Sequence, residues 1–144
     1  MISQNKDGAL KAFFAAKHYA VVGASADESK YGFKVFKWYV DHKLPVSPIN
    51  PKADEILEVK TVKSLSELAS PHETSVSIIT PAKVTIGVLQ EAEKLNVPAV
   101  WVQPGAFDDT CNDFFRQSSS MECIAGGRCI LIEGEHGLAL QDKM

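Results

Sequence analysis

One short segment near the amino terminus constrains the fold of this chain more than any other. An apolar run over residues 19–22 stops at Gly23, and residues 24–30 are all small or polar. Gly32 then precedes residues 33–42, whose apolar side chains recur at the spacing of a helix. A strand, a glycine-containing loop and a helix in this order are typical of the first half of a phosphate-binding βαβ unit.

The rest of the chain repeats this alternation of apolar runs and amphipathic segments. Further strands are predicted at residues 45–49, 75–79, 99–102 and 122–125, and further helices at residues 5–17, at residues 81–95 and after Asp108 or Asp109. The alternation predicts one domain over residues 1–144 with an α/β fold. We expect a three-layer, doubly wound, mostly parallel sheet of about five strands with helices on both faces.

Several details of this architecture are also predicted. Prolines at both ends of residues 45–49 favour a strand near the edge of the sheet. Within residues 53–74 we expect a short helical turn capped by Ser64, and residues 130–132 fit either a strand or a helix. Core positions are expected for the aromatic residues Phe13, Phe14, Phe36, Trp38, Tyr39, Trp101, Phe114 and Phe115.

Three loops are expected to meet at one edge of the sheet. Crossovers between parallel strands are right-handed, so the loops that follow the strands collect on the same side. These loops are residues 23–31, residues 50–52 and the pair Thr80-Pro81. Ligands of open α/β sheets bind outside the carboxyl ends of the strands, and the three loops therefore form the candidate site.

The first loop has the residue types that a phosphate group requires. Gly23 places no Cβ between the backbone and a ligand, and the Ser25 hydroxyl is able to donate to a phosphate oxygen. Gly32 permits close backbone approach where a helix begins, with the helix dipole directed at negative charge. The structural alternative is that Gly23 and Gly32 only shape a turn between strand and helix.

The second loop separates two classes of nucleotide ligand. An NAD site has Asp or Glu after the second strand to bind the ribose hydroxyls, whereas this chain has Asn50, Pro51 and Lys52 there. A cation at this position suits a ribose that carries a phosphate, as in NADP or coenzyme A (CoA). The alternative for Lys52 is a solvated surface lysine.

Two further positions have a complete structural explanation without a ligand. Thr80 is a good residue for capping a helix, and Pro81 is preferred at the first helical position. Their place beside the other two loops is what suggests a role in binding. Gln103 begins a predicted turn, from which its side chain is expected to be able to touch a ligand.

The composition excludes several classes of function. The net charge is −3, and thirteen of the fifteen basic residues are Lys, which does not fit a nucleic-acid-binding surface. The three cysteines are odd in number and lack CxxC spacing, so neither a disulfide framework nor a metal site is expected. We expect no membrane segment and a cytoplasmic location, because no apolar run has the length of a membrane span or the form of a signal peptide.

With these residues assembled, the sequence resembles the small stand-alone CoA-binding proteins, which are related to the amino-terminal Rossmann-like domain of the succinyl-CoA synthetase α subunit. The matching pieces run in family order at residues 20–25, 31–32, 48–52, 55–56, 64–65, 80–81, 100–106 and 128–130. Three departures are Glu58, where the family usually has Gly, Ala82, where a second Pro is common, and residues 118–121, which replace the glycine-containing end expected for the helix before the fifth strand.

The resemblance implies a CoA or acyl-CoA ligand. Its diphosphate is expected at the loop from Gly23 to Gly32, and its adenosine end near residues 50–52. The binding residues that the resemblance implies are Gly23, Ser25, Tyr31, Gly32, Asn50, Pro51, Lys52, Thr80 and Pro81.

No catalytic residues are predicted. None of the histidines, His18, His42, His72 and His136, falls in the three loops. Cys129 is the one reactive candidate, because a thiolate beside the thiol end of CoA is able to form a mixed disulfide, and the neighbouring Arg128 is able to lower its pKa. The alternative for Cys129 is a buried structural thiol.

These observations favour a non-catalytic CoA-binding module in one domain. The second hypothesis is an NADP- or NAD-binding redox or sensor domain. The third is an interaction domain that kept the fold and lost the ligand. The expected partner is a small molecule rather than nucleic acid or membrane, and a homodimer or an unidentified protein partner is left open.

Overall fold

The computed structural model describes residues 6–117 and 120–141. Its helices are α1 (Lys6–Phe14), α2 (Tyr31–Asp41), α3 (Ala82–Lys94), α4 (Asp109–Arg116) and α5 (Ile130–Gln141). Its strands are β1 (His18–Val22), β2 (Val46–Ile49), β3 (Glu55–Ile56), β4 (Val59–Lys60), β5 (Thr74–Ile78), β6 (Ala99–Val102) and β7 (Glu122–Ile124). Short 3-10 helices lie at Leu65–Glu67 and Pro71–Glu73.

Five of the strands form one parallel sheet in the order β2-β1-β5-β6-β7. The predicted edge position of the second strand is confirmed, although Val62 forms one isolated bridge to Ile49 on its outer side. After β2 the chain crosses to the other side of β1, so the strand order reverses between β1 and β5. Ligands of doubly wound sheets bind at such a reversal.

Helices cover both faces of this sheet, as predicted. Alternate residues of each strand point to opposite faces, so Val21 packs into one core and Val22 into the other. Helices α1, α2 and α5 bury the first core, in which the side chain of Trp101 is 0 % exposed. Helices α3 and α4 bury the second core. The predicted α/β class and its three layers are therefore confirmed.

Helix α5 lies unusually close to the helices beneath it. A Cβ atom at Gly134 would overlap the ring of Trp38, and one at Gly137 would overlap the ring of Phe14. These two glycines lie three residues apart on one face of the helix, so together they form a notch that receives both aromatic rings. Residues 130–132, for which a strand and a helix were equally compatible, are the first turn of α5.

Residues 55–60 form an antiparallel hairpin that the pattern did not reveal. Glu55 pairs with Lys60 and Ile56 with Val59, which leaves a two-residue turn of Leu57 and Glu58. The short helical turn predicted after Ser64 is confirmed at Leu65–Glu67, but the Ser64 hydroxyl bonds to that of Ser66 at 2.8 Å and makes no capping hydrogen bond.

Most of the predicted core residues are buried. Phe114 is the exception among the aromatic set, since it is only partly buried on the outside of α4. Val84 is an apolar residue of the helix predicted at residues 81–95, yet its side chain is 52 % exposed. Its position beside a surface cleft explains this exposure.

Candidate functional site

An open cleft of about 240 Å³ lies at the carboxyl edge of the sheet, where β1, β2 and β5 end. Its lining residues are Val22, Gly23, Ile49, Pro51, Lys63, Ser64, Leu65, Thr80, Val84, Val88 and Glu91. One residue from each predicted loop, namely Gly23, Pro51 and Thr80, is thus brought to one place. The parallel topology produces this convergence, as the spacing of the loops predicted.

The two glycines of the first loop pack against each other. Gly23 has φ +94°, and a Cβ atom there would approach the backbone carbonyl carbon of Ile79 to 3.2 Å. A Cβ atom at Gly32 would overlap the carbonyl oxygen of Gly23. Gly32 therefore lets the first turn of α2 rest directly on the end of β1. Gly23 and Gly32 therefore shape the turn between β1 and α2, which was the structural alternative to a role in binding. The same turn places the amino end of α2 at the candidate site.

The amino end of α2 is free of side-chain capping. Lys30 occupies the capping position without a side-chain hydrogen bond, and the first turn contains no acidic residue. No side chain of the cap or of the first turn therefore offsets the positive end of the helix dipole, which is the condition that favours a bound anion.

The loop before α2 is organised by its own side chains. Ser25 Oγ accepts a hydrogen bond from the Asp27 amide at 3.0 Å, and this leaves the hydroxyl hydrogen of Ser25 able to donate. The Asp27 carboxylate accepts from the side chain and the amide of Ser29. These hydrogen bonds lower the pKa of Asp27.

Asn50 ties the second loop to the first. Its Nδ2 donates to the carbonyl of Ala24 at 2.8 Å, and its Oδ1 accepts from the amides of Lys52 and Ala53 at 2.7 and 2.9 Å. The side chain of Asn50 is therefore engaged in holding the two loops together. Lys52 is exposed and forms no ion pair with any residue within 6–117 and 120–141.

The capping role predicted for Thr80 is wrong. Pro81 itself occupies the capping position, with ψ 144°, and α3 begins at Ala82. Thr80 lies one residue too early to cap, and its hydroxyl bonds instead to that of Thr85 at 2.7 Å. The amino end of α3 consequently has no side-chain cap either.

Tyr31 lies outside the cleft, on the face of the sheet that α2 and α5 cover. Its hydroxyl is 2.6 Å from Cys129 Sγ and donates to Gln103 Oε1 at 3.3 Å. Burial, followed by the hydrogen bond to Cys129, raises the pKa of Tyr31. The phenol therefore stays protonated at neutral pH.

Two predictions about this cluster need correction. Gln103 is fully buried, so its side chain does not reach a ligand. Arg128 was expected to act on Cys129, but its guanidinium pairs with Glu133 at 2.6 Å. Cys129 is half-buried, so its exposure is intermediate between that expected of a reactive thiol and that of a buried structural thiol.

Eight of the eleven residues that line the cleft were not predicted to do so. Val84 and Val88 face it from α3, and Lys63 and Glu91 stand at its walls. The sequence could have indicated the two valines, because they add apolar residues to α3 that the core does not fully bury. Nothing in the sequence indicated Lys63, because residues 57–63 showed no pattern that placed them at the edge of the sheet.

Residues 17–135 match the family model described as a CoA binding domain. The chain belongs to this family. In keeping with the resemblance stated above, an acetate–CoA ligase (ADP-forming) from Methanocaldococcus jannaschii is 33% identical over 107 residues. The α subunit of an acetate–CoA ligase (ADP-forming) II from Pyrococcus furiosus is 31% identical over 137 residues.

The ligase relatives are much longer than this member of the CoA binding domain family. The matched regions cover 74% and 88% of this chain, but only 15% and 30% of the two ligases. A solved structure of similar size is that of a conserved hypothetical protein from Pyrococcus furiosus, with 32% identity and a TM-score of 0.75. The match covers 81% of this chain and 98% of that one.

No helix among the described residues combines the length and apolar character needed to span a membrane.

Proposed function

We propose that this chain binds CoA or an acyl-CoA at the carboxyl edge of its sheet and catalyses no reaction of its own. The observation that carries the proposal is the juxtaposition of an apolar cleft, the uncapped amino end of α2 and Lys52, which forms no ion pair with any residue that the structure describes. Adenine, diphosphate and ribose phosphate require these three kinds of surface.

The chemistry of each part suggests where the ligand lies. The cleft between Pro51 and the valines Val84 and Val88 is apolar and suits the adenine ring. The amino end of α2, together with the Ser25 hydroxyl, suits the diphosphate. Lys52 follows the cleft residue Pro51 and suits the 3′-phosphate on the ribose.

The absence of a catalytic role is part of the same proposal. Within the described part of the chain, no histidine lines the cleft. His18 begins β1, His42 follows α2, His72 lies in a 3-10 helix and His136 lies on α5. A histidine that acts as a base or carries a phosphoryl group at the ligand would therefore have to come from another protein or domain.

One observation keeps an NADP-binding module as the second candidate. Lys52 fits a phosphate on either ribose hydroxyl, so the 2′-phosphate of NADP is chemically equivalent at this position. Comparing the two nucleotides directly distinguishes the candidates.

The proposal predicts a selective effect of reversing the charge at Lys52. A pair of unit charges about 4 Å apart contributes about 1 kcal/mol in water, so replacing attraction by repulsion costs about 2 kcal/mol, or about 30-fold in Kd. In Lys52→Glu we expect this loss for CoA, and a change of no more than about twofold for dephospho-CoA, measured by isothermal titration calorimetry.

Lys94→Glu is the matched control, because Lys94 is also exposed but ends α3 at the opposite edge of the sheet. It should leave both affinities unchanged. Equal losses for CoA and dephospho-CoA in Lys52→Glu would refute the contact between Lys52 and the 3′-phosphate.

A further inference from the structure

Gln103 joins four elements of the fold through one buried amide. It follows β6, and its Oε1 accepts hydrogen bonds from the amide of Ile130 at 3.0 Å and from the hydroxyl of Tyr31 at 3.3 Å. Its Nε2 donates to Ser77 Oγ of β5 at 3.5 Å, and Ser77 in turn bonds to Tyr39 at 2.6 Å. The Gln103 side chain is 0 % exposed.

Both hydrogen bonds to Gln103 Oε1 come from the first residue of a helix. Tyr31 is the first residue of α2 and Ile130 is the first residue of α5. Both helices start at the carboxyl edge of the sheet, where the candidate site lies. A single carbonyl oxygen with two lone pairs therefore fixes the distance between the first turns of two helices.

The cleft and the Tyr31 cluster lie on opposite faces of the sheet. The valines of the cleft belong to α3, whereas Tyr31 and Cys129 belong to the side covered by α2 and α5. The end of β1 at Gly23 lies between them. A ligand with its adenine in the cleft and its diphosphate at the amino end of α2 therefore continues toward Tyr31 with the part beyond the diphosphate, which in CoA is the pantetheine arm.

We propose that Gln103 is a positioning residue of the CoA site, which holds the Tyr31 hydroxyl and Cys129 where the pantetheine arm passes. This inference rests on the proposed function. Gln103 does not touch the ligand; it acts through Tyr31, whose phenol is able to bond to the amides of the arm. The role replaces the direct ligand contact that the sequence suggested for Gln103.

A purely structural role would give a different pattern of ligand affinities. Gln103→Met keeps the length of the side chain and removes both hydrogen-bonding groups. In this variant we expect CoA to bind at least tenfold more weakly, and adenosine 3′,5′-bisphosphate, which lacks the arm, to bind within twofold of wild type by calorimetry. Equal losses for both ligands, or no loss for either, would overturn the proposal.

Tyr31→Phe tests the same role in a variant that retains the hydrogen bond between Gln103 and Ile130. We expect it to weaken CoA binding and to spare the bisphosphate, and we expect the double variant to bind CoA no more weakly than Tyr31→Phe alone. Additive losses in the double variant would mean that Gln103 does not act through Tyr31. Tyr31→Phe also gives a result if Gln103→Met fails to fold.

A measurement without ligand separates this inference from the proposed function. Alkylation of Cys129 by iodoacetamide, followed by mass spectrometry, should be at least threefold faster in Gln103→Met and in Tyr31→Phe. Cys111 and Cys123 are internal controls, because both are buried and burial raises their pKa values, that of Cys123 to about 12.

An unchanged alkylation rate would overturn the claim that Gln103 and Tyr31 hold Cys129. A wild-type protein that binds neither ligand would overturn the proposed function, and with it the role of Gln103 toward a pantetheine arm. The alkylation rates would still decide whether Gln103 fixes Tyr31 against Cys129.

Discussion

Leu57 and Glu58 form the turn between β3 and β4 with backbone angles that side chains disfavour. Their φ values are +49° and +66°, and two positive φ angles in a two-residue hairpin loop define the type of turn that favours Asn-Gly. A residue with a Cβ pays about 1–2 kcal/mol in this left-handed region. This explains why Gly is usual at the position of Glu58 in the family that the sequence resembles.

Glu58→Gly should therefore stabilise the protein. Relief of the left-handed strain outweighs the added entropy of the unfolded chain, and we expect a net gain of about 0.5–1 kcal/mol. For a domain of this size the melting temperature, measured by circular dichroism, should rise by about 2–4 °C.

Replacing Glu by Gly within a helix should instead destabilise the protein. Glu91→Gly lies inside α3, where glycine costs about 1 kcal/mol, and the melting temperature of this variant should fall. A lower melting temperature for Glu58→Gly would contradict the strain inferred at the turn.

At the scale of elements, α4 depends on one capping carboxylate. Asp108 Oδ1 accepts a hydrogen bond from the amide of Cys111 at 3.0 Å, and the sequence correctly placed the start of this helix at Asp108 or Asp109. That hydrogen bond is the main cause of the lowered pKa of Asp108. A carboxyl group with a lower pKa in the folded state stabilises the protein above its unfolded pKa of about 3.9, and the contribution is lost as the pH falls through the folded pKa.

The cap therefore predicts a stability difference that depends on pH. Asp108→Ala should melt at a lower temperature than wild type at about pH 7, and the difference should shrink below about pH 4 as the wild-type carboxyl becomes protonated. Asp108→Asn keeps a capping oxygen that does not titrate, and its melting temperature should exceed that of Asp108→Ala at both pH values. A wild-type advantage over Asp108→Ala that is the same at both pH values would contradict the account.

At the scale of the whole molecule, the parallel topology was accessible from the sequence. Strands and helices alternate strongly enough to predict the sheet, and the prolines flanking β2 indicated its edge position. The meeting of the loops after β1, β2 and β5 followed from the same reasoning, because parallel strands end at one edge.

The roles of individual loop side chains were not accessible in the same way. That Asn50 and Thr80 bind ligand stays a prediction, but the sequence did not reveal that Asn50 bonds to Ala24, Lys52 and Ala53, or that Thr80 bonds to Thr85. These hydrogen bonds depend on which loops become neighbours in three dimensions. The cluster around Gln103 joins residues 26 to 72 positions apart in the chain, and no local pattern reveals such contacts.

The most direct test of the central claim is a thermal shift of the purified wild-type protein with CoA, acetyl-CoA, NAD, NADH and NADPH. A ligand at a hundred times its Kd adds about 2.7 kcal/mol to the free energy of unfolding. This corresponds to a rise in melting temperature on the order of 5–15 °C. We predict this rise with CoA or acetyl-CoA and none with the nicotinamide nucleotides; a rise with NADPH alone, or with no ligand in the set, would contradict the proposed CoA site.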